Sequence, residues 1–222
     1  ATNIHVENPT LTTRSTDTGM LRSAEEFLRI FGGERWFLYM HFMDLHEYIY
    51  DDETALFGTT YSDVYDNSVR RENNLVGEFL VYLARNGYLE NTLIVFASDH
   101  GEAFGERGVE GHARRLYRES TEVPFFLSFP FKLEPGIVIP TRSRNLDIWP
   151  TVLDLLGLPP LEDVDGRSLV PEILRAVRGE EPGPDETRAF SHLDQNWGTP
   201  GVGSAAMVSL TEGPYRYVLS PS

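Results

Sequence analysis

The chain has 222 residues, 41% hydrophobic and 12% aromatic, enough for one large α/β domain with an appendage and a sizeable buried core. With 34 acidic against 19 basic residues its net charge is −15, and every basic residue but Lys132 is arginine; such a surface repels phosphates and anionic lipid, which argues against a nucleic-acid partner. Cysteine is absent, so no disulfide framework or thiolate metal site is available, and no apolar run approaches the roughly 18 residues that span a bilayer.

Residues 1–19 lack periodicity and read as an irregular lead-in, and Ala1-Thr2-Asn3-Ile4-His5 has no apolar stretch of the signal-peptide kind. Leu21, Phe27, Leu28 and Phe31 recur at helical spacing, and Gly32-Gly33 ends that helix. The continuous apolar run Trp36–Phe42 predicts a strand covered on both faces, which makes His41 a packed core histidine. A polar loop follows from Asp44 to about Ser62. From Asp63 to Arg85 the residues Val69, Leu75, Val76, Phe79, Leu80 and Leu83 form a helical stripe, closed by Asn86-Gly87.

Leu93–Ala97 is β-branched and apolar, as a buried parallel strand would be. A short helix is expected over Arg114–Glu119 and a third buried strand over Val123–Phe129. Asp147 is placed to cap a helix reaching Leu156, with Pro150 in its first turn and Gly157 at its end; Ser168 is placed to cap another over Leu169–Val177, stopped by Gly179. Residues 179–186 read as a linker, and Ala205–Leu210 and Tyr215–Leu219 flank a hairpin turn. The organisation expected is a lead-in and helix over 1–35, an α/β layer of mostly parallel sheet sandwiched by helices over 36–178, and a small antiparallel region over 187–222.

Chemistry concentrates after the strand 93–97, in Ser98-Asp99-His100-Gly101-Glu102. Ligand sites of open α/β sheets lie beyond the carboxyl ends of strands, and adjacent Asp and His side chains suit a divalent cation. An Asp here can equally cap the next helix. Gly101, Gly105 and Gly108 give the loop freedom to wrap a ligand, and His112 follows Gly111. His46 lies past the end of the run 36–43, on the sheet edge that a parallel arrangement shares with Asp99. His46 and His112 read either as site imidazoles or as solvated loop residues, whereas His5 and His192 have no motif around them.

Taken in order, several blocks resemble the sulfatase family of the alkaline-phosphatase-like superfamily. They are His41-Phe42-Met43-Asp44-Leu45-His46; Tyr65 opening a long helix; Asn91-Thr92-Leu93-Ile94-Val95; the Ser-Asp-His-Gly-Glu block with Gly111-His112; Leu116-Tyr117-Arg118-Glu119 before Val123-Pro124; Asp147-Ile148-Trp149-Pro150-Thr151; and Asp165-Gly166-Arg167-Ser168-Leu169. The resemblance implies an alkaline-phosphatase-like fold and hydrolysis of a small-molecule or glycan sulfate ester. It implies Asp99 and His100 as ligands of a divalent metal, Ca²⁺ before Mn²⁺, Mg²⁺ or Zn²⁺, and His46 and His112 as residues that hold sulfate oxygens or protonate the leaving group. Departures are Leu45 in place of proline, Tyr48-Ile49-Tyr50 after it, and Asn73 in place of an acid. The family's Cys- or Ser-x-Pro-x-Arg nucleophile motif and early Asp-Asp pair are not among these residues, so the chain is expected to carry the downstream half of such a site and to be inactive alone. A phosphonate monoester hydrolase, a phosphodiesterase, a phosphoglycerol transferase and a non-catalytic module remain alternatives.

Overall fold

The computed structural model describes residues 15–112, 114–183, 187–196 and 199–220. They fall into two compact units, Ala1–Thr92 and Leu93–Ser222. No helix among the described residues is long and apolar enough to cross a membrane.

Among its described residues the first unit has two α-helices, the segment between them and a 3₁₀ turn over Leu89–Asn91. Helix α1 (Asp17–Phe31) buries Leu21, Ala24 and Leu28, the i, i+3, i+7 face of an amphipathic helix. It begins earlier than its apolar periodicity suggests, because its N-terminus is held from a distance by a buried carboxylate. Asp44 accepts hydrogen bonds from Thr16 N (2.9 Å), Asp17 N (3.4 Å) and Ser15 Oγ (2.5 Å), and Asp17 accepts from Met43 N (2.9 Å) and Asp44 N (2.8 Å) in return. Each carboxylate thus satisfies the backbone of the segment that carries the other. Helix α2 (Tyr61–Arg85) completes the lock, with Arg71 Nη1 donating to Asp44 at 2.6 Å.

Helix α2 starts at Thr60, whose hydroxyl accepts from Asp63 N while Asp63 accepts from Thr60 N, a capping box. It ends as Asn86-Gly87 predicts: Gly87 adopts φ +73°, and the Tyr88 and Gly87 amides donate to Leu83 and Ala84 carbonyls in a Schellman closure. Tyr82 and Tyr88 then donate to the Glu25 and Leu28 carbonyls of α1. The buried face of α2 differs from the apolar stripe. Val69 and Leu80 are exposed, while Val64, Asn67, Ser68, Glu72, Phe79 and Leu83 are buried. Asn67 is inside because its side chain accepts from Leu56 N and Phe57 N and donates to the Gly58 carbonyl, pinning the preceding loop.

The run 36–42 is not a buried strand. No ladder pairs it among the described residues, and Phe37 and Tyr39 are 68% and 76% exposed. Exposure alternates residue by residue, the signature of extended chain with one face covered; His41 accordingly lies at the surface, its ring against Tyr39, and not in a core.

In the second unit β1 (Ile94–Ala97) pairs with β2 (Phe125–Ser128), in the register Ile94↔Ser128 to Ala97↔Phe125. The ladder is antiparallel, not parallel, and Phe96 and Phe126 remain exposed, so uninterrupted hydrophobicity here does not mean cover on both faces. The short helix between them, α3 (Arg118–Thr121), sits later than expected. Helix α4 (Ile148–Leu156) ends at Gly157 with φ +67° as predicted. Asp147 precedes it but makes no side-chain cap: its buried carboxylate accepts from Arg144 N, Arg144 Nη2 and Arg167 N. Helix α5 (Val170–Val177) carries Pro171 in its first turn and buries Ile173; the Ser168 hydroxyl accepts from Val170 N and donates to Asp154.

The expected hairpin is present with a tighter turn, since β4 (Ala206–Glu212) and β5 (Tyr215–Leu219) are joined by Gly213-Pro214. A strand missing from the sequence reading, β3 (Arg188–Asp194), pairs antiparallel with β4. Residues 179–183 of the expected linker have no regular structure, and 184–186 lie outside the described residues.

Two measurements check the lock. Asp44→Ala strips the α1 amides and the largely buried Arg71 of their shared carboxylate, leaving Arg71 only the longer Asp51 contact, and is expected to cost about 3–5 kcal/mol in urea unfolding; Thr60→Ala, which removes only a helix cap, is expected to cost about 1 kcal/mol. Equal losses would contradict the ranking. Burial, with the Asp17 and Asp44 charges beside it, pushes Glu72 up from 4.5 to about 8. The folded protein therefore keeps a proton that the unfolded chain loses, and stability falls as pH rises through that interval. Glu72→Gln, which cannot ionise, is expected to flatten the fall between about pH 5 and pH 8 in chelator-containing buffer; an unchanged slope would refute the assignment.

Candidate active site

The Asp99 segment leaves the end of β1 under several constraints. The Ser98 hydroxyl donates to the His100 carbonyl at 2.6 Å, and the Ser98 carbonyl accepts from Asn145 Nδ2 at 3.0 Å. Gly101 is required, though by proximity and not by a left-handed turn. Its amide donates to the Ser120 carbonyl, and a Cβ in its place would run into the Glu119 carbonyl oxygen. The chain then makes a closed excursion: Phe104 bridges Glu110, Gly105 N donates to Val109 O, and Gly111 N donates to Ala103 O. Gly105 and Gly108 have positive φ, the freedom expected of them, and so has Gly111; Gly101 does not.

That closure returns His112 to His100. The two imidazoles stack with centroids 4.1 Å apart and planes 26° apart. His100 Nδ1 lies 2.9 Å from the Gly101 carbonyl, which only accepts, so Nδ1 carries the proton and Nε2 presents its lone pair. Nε2 is 3.8 Å from Asp99 Oδ2. One cation with bonds of about 2.1–2.4 Å to both atoms would separate them by a distance of this order. The donor set, one carboxylate oxygen and one neutral imidazole nitrogen, therefore fits a divalent ion.

His112 Nδ1 is 2.9 Å from Glu102 Oε2, and the Glu102 side chain is buried. A carboxylate partner on Nδ1 directs the chemistry of this ring through Nε2. Glu102 is the candidate site residue that sequence reasoning missed; its place inside the Ser-Asp-His-Gly-Glu block was the available signal. Among the second unit's predicted residues the structure thus brings together Asp99, His100 and His112. His46 belongs to the first unit, on the turn after Asp44, half-exposed with Nδ1 3.2 Å from Glu47. Asp44, two residues earlier in the same block, faces α1 and Arg71 instead.

The family model for sulfatases matches residues 3–158. The chain belongs to the sulfatase family. It is 34% identical over 171 residues to a choline-sulfatase of Rhizobium meliloti, covering 70% of this chain and 30% of that protein. Among solved structures it is similar to BT4656 in complex with its substrate D-glucosamine-2-N,6-O-disulfate, at 27% identity and TM-score 0.59 over 71% of this chain and 31% of that one. It is likewise similar to the phosphonate monoester hydrolase of Silicibacter pomeroyi, at 27% identity and TM-score 0.60 over 72% and 32%. The fold is therefore the α/β one of the alkaline-phosphatase-like proteins, and the family uses a divalent metal. The chain spans about a third of the length of these relatives.

Glu102→Gln keeps the size of the side chain and removes its charge. Carbethoxylation of His112 by diethyl pyrocarbonate is expected to speed up severalfold relative to His192 in that variant, read by peptide mass spectrometry. A rate unchanged by the substitution would mean that Glu102 does not hold the ring.

Proposed function

We propose that this chain supplies the metal- and leaving-group side of a sulfatase that hydrolyses small-molecule or glycan sulfate esters. The observation that carries the reading is the Asp99 Oδ2–His100 Nε2 pair at 3.8 Å with His112 stacked alongside. Asp99 and His100 hold the divalent ion, calcium as the first candidate because a carboxylate-led site suits a hard cation. When bound, the ion supplies positive charge against the oxygens of the transferring sulfuryl group. His112, oriented through Nδ1 by Glu102, offers Nε2 to the ester oxygen and holds or delivers a proton there. His46 takes a sulfate-contacting role on the strength of its sequence block. The nucleophile motif of the family is not among these 222 residues, so this segment alone is expected to turn over no ester.

A second reading, hydrolysis of phosphonate monoesters, is favoured by the likeness to the Silicibacter pomeroyi enzyme. Purified full-length protein assayed on 4-nitrophenyl sulfate and on a 4-nitrophenyl phosphonate monoester separates the two. Higher kcat/KM on the sulfate supports the first reading, and the reverse ranking supports the second. Asp99→Ala is expected to lower kcat/KM by roughly 10³-fold, the scale of losing a strong charge contact in the transition state. Turnover of neither ester, together with a melting temperature that calcium leaves unchanged, would point to a non-catalytic module.

A further inference from the structure

The first unit contains a cluster that the proposed hydrolysis does not use. Asp17, Asp44 and Glu72 are all buried, and each places a carboxylate oxygen within 4.8 Å of the others. Asp17 and Asp44 accept from backbone amides, and Asp44 also from Arg71. Glu72 is different: it is 8% exposed, it has an oxygen within 4.8 Å of both aspartates, and among the described residues neither of its oxygens accepts a hydrogen bond. An unanswered buried carboxyl is costly, and native proteins rarely leave one without a partner.

We propose that Asp17, Asp44 and Glu72 form a calcium site within the first unit. Three carboxylates and the Arg71 guanidinium leave a net charge of −2 when Glu72 is ionised, which a dication balances. Arg71 is also shared with Asp51, 3.4 Å away, so it is less able to neutralise the cluster by itself. Oxygens that all lie within 4.8 Å of one another are close enough for one ion with Ca–O bonds of about 2.4 Å to reach all three carboxylates. The two open oxygens of Glu72 suit the bidentate mode in which carboxylates bind calcium.

Access is present as well. An open cavity of about 470 Å³, lined in part by Thr16, Asp17, Met43 and Glu47, reaches Asp17 and has room for the waters that complete calcium's six to eight ligands. An ion here ties together the start of α1, the turn after Met43 and the middle of α2, joining the segments that the Asp17–Asp44 lock already connects.

The test uses full-length protein carrying Asp99→Ala, which removes the carboxylate of the other proposed metal site. Equilibrium dialysis with calcium at about pH 8.5 should show bound calcium, and Tm should rise by several degrees in its presence. Adding Glu72→Gln should remove one equivalent of calcium and that rise. Calcium binding that Glu72→Gln leaves intact overturns the proposal, and so does an Asp99→Ala protein that binds no calcium, whether or not Glu72→Gln folds. Should Glu72→Gln not fold, Glu72→Asp withdraws the carboxylate by one methylene and should weaken calcium at least tenfold; an unchanged affinity overturns the assignment.

Discussion

The first unit depends on an exchange of hydrogen bonds between two buried aspartates. Asp44 satisfies the opening amides of α1, and Asp17, the first residue of that helix, satisfies the amides of Met43 and Asp44. Neither bond set is local, since 27 residues separate the partners. The first amides of any helix need an acceptor, and here the acceptor comes from the segment that leads toward His46. Arg71 of α2 compensates the charge of Asp44, so two helices and the intervening turn share one electrostatic centre. Burial alone would raise the pKa of Asp44; bonds from Ser15, Thr16, Arg71 and Asp17 overcome it and hold the carboxyl below its usual value.

The second unit solves a different problem, that of bringing residues twelve positions apart into ring contact. The stacking of His112 on His100 follows from the Ala103–Gly111 closure, which returns the loop to its starting point. Three left-handed glycines permit the path, while Gly101 allows the backbone to pass against the Glu119–Ser120 peptide. Hydrogen bonding then settles the chemistry of each ring, with Nδ1 of His100 against the Gly101 carbonyl and Nδ1 of His112 against Glu102. It is therefore through Nε2 that the proposed reaction would use each ring.

Much of this was legible in the sequence. Helix ends written in local backbone chemistry, at Asn86-Gly87 and Gly157, appear where glycine can adopt the left-handed conformation that a closing turn needs. The loop after β1 likewise announced itself through Asp99, His100 and its glycines. Features that depend on distant partners did not. The run 36–42 and the strand 93–97 have the same apolar density as a doubly covered strand, yet density does not reveal whether a neighbour lies on each face or runs antiparallel. In α2 the apolar stripe misplaced the buried face because Asn67 and Glu72 point inward, one satisfied by the 56–58 backbone and the other among carboxylates.

Sequence by itself pointed to the family, the helical periods and the glycine-closed turns, and singled out His46, Asp99, His100 and His112 as candidates, because these rest on residue type and short spacing. Tertiary structure alone decided that Glu102 holds His112, that Asp147 serves Arg144 and Arg167 and not its own helix, and that Asp17, Asp44 and Glu72 share one buried pocket of negative charge. The physical reason is common to all three. A carboxylate takes its role from the donors and charges within a few ångströms of it, and those are assembled by chain segments that lie far apart in sequence.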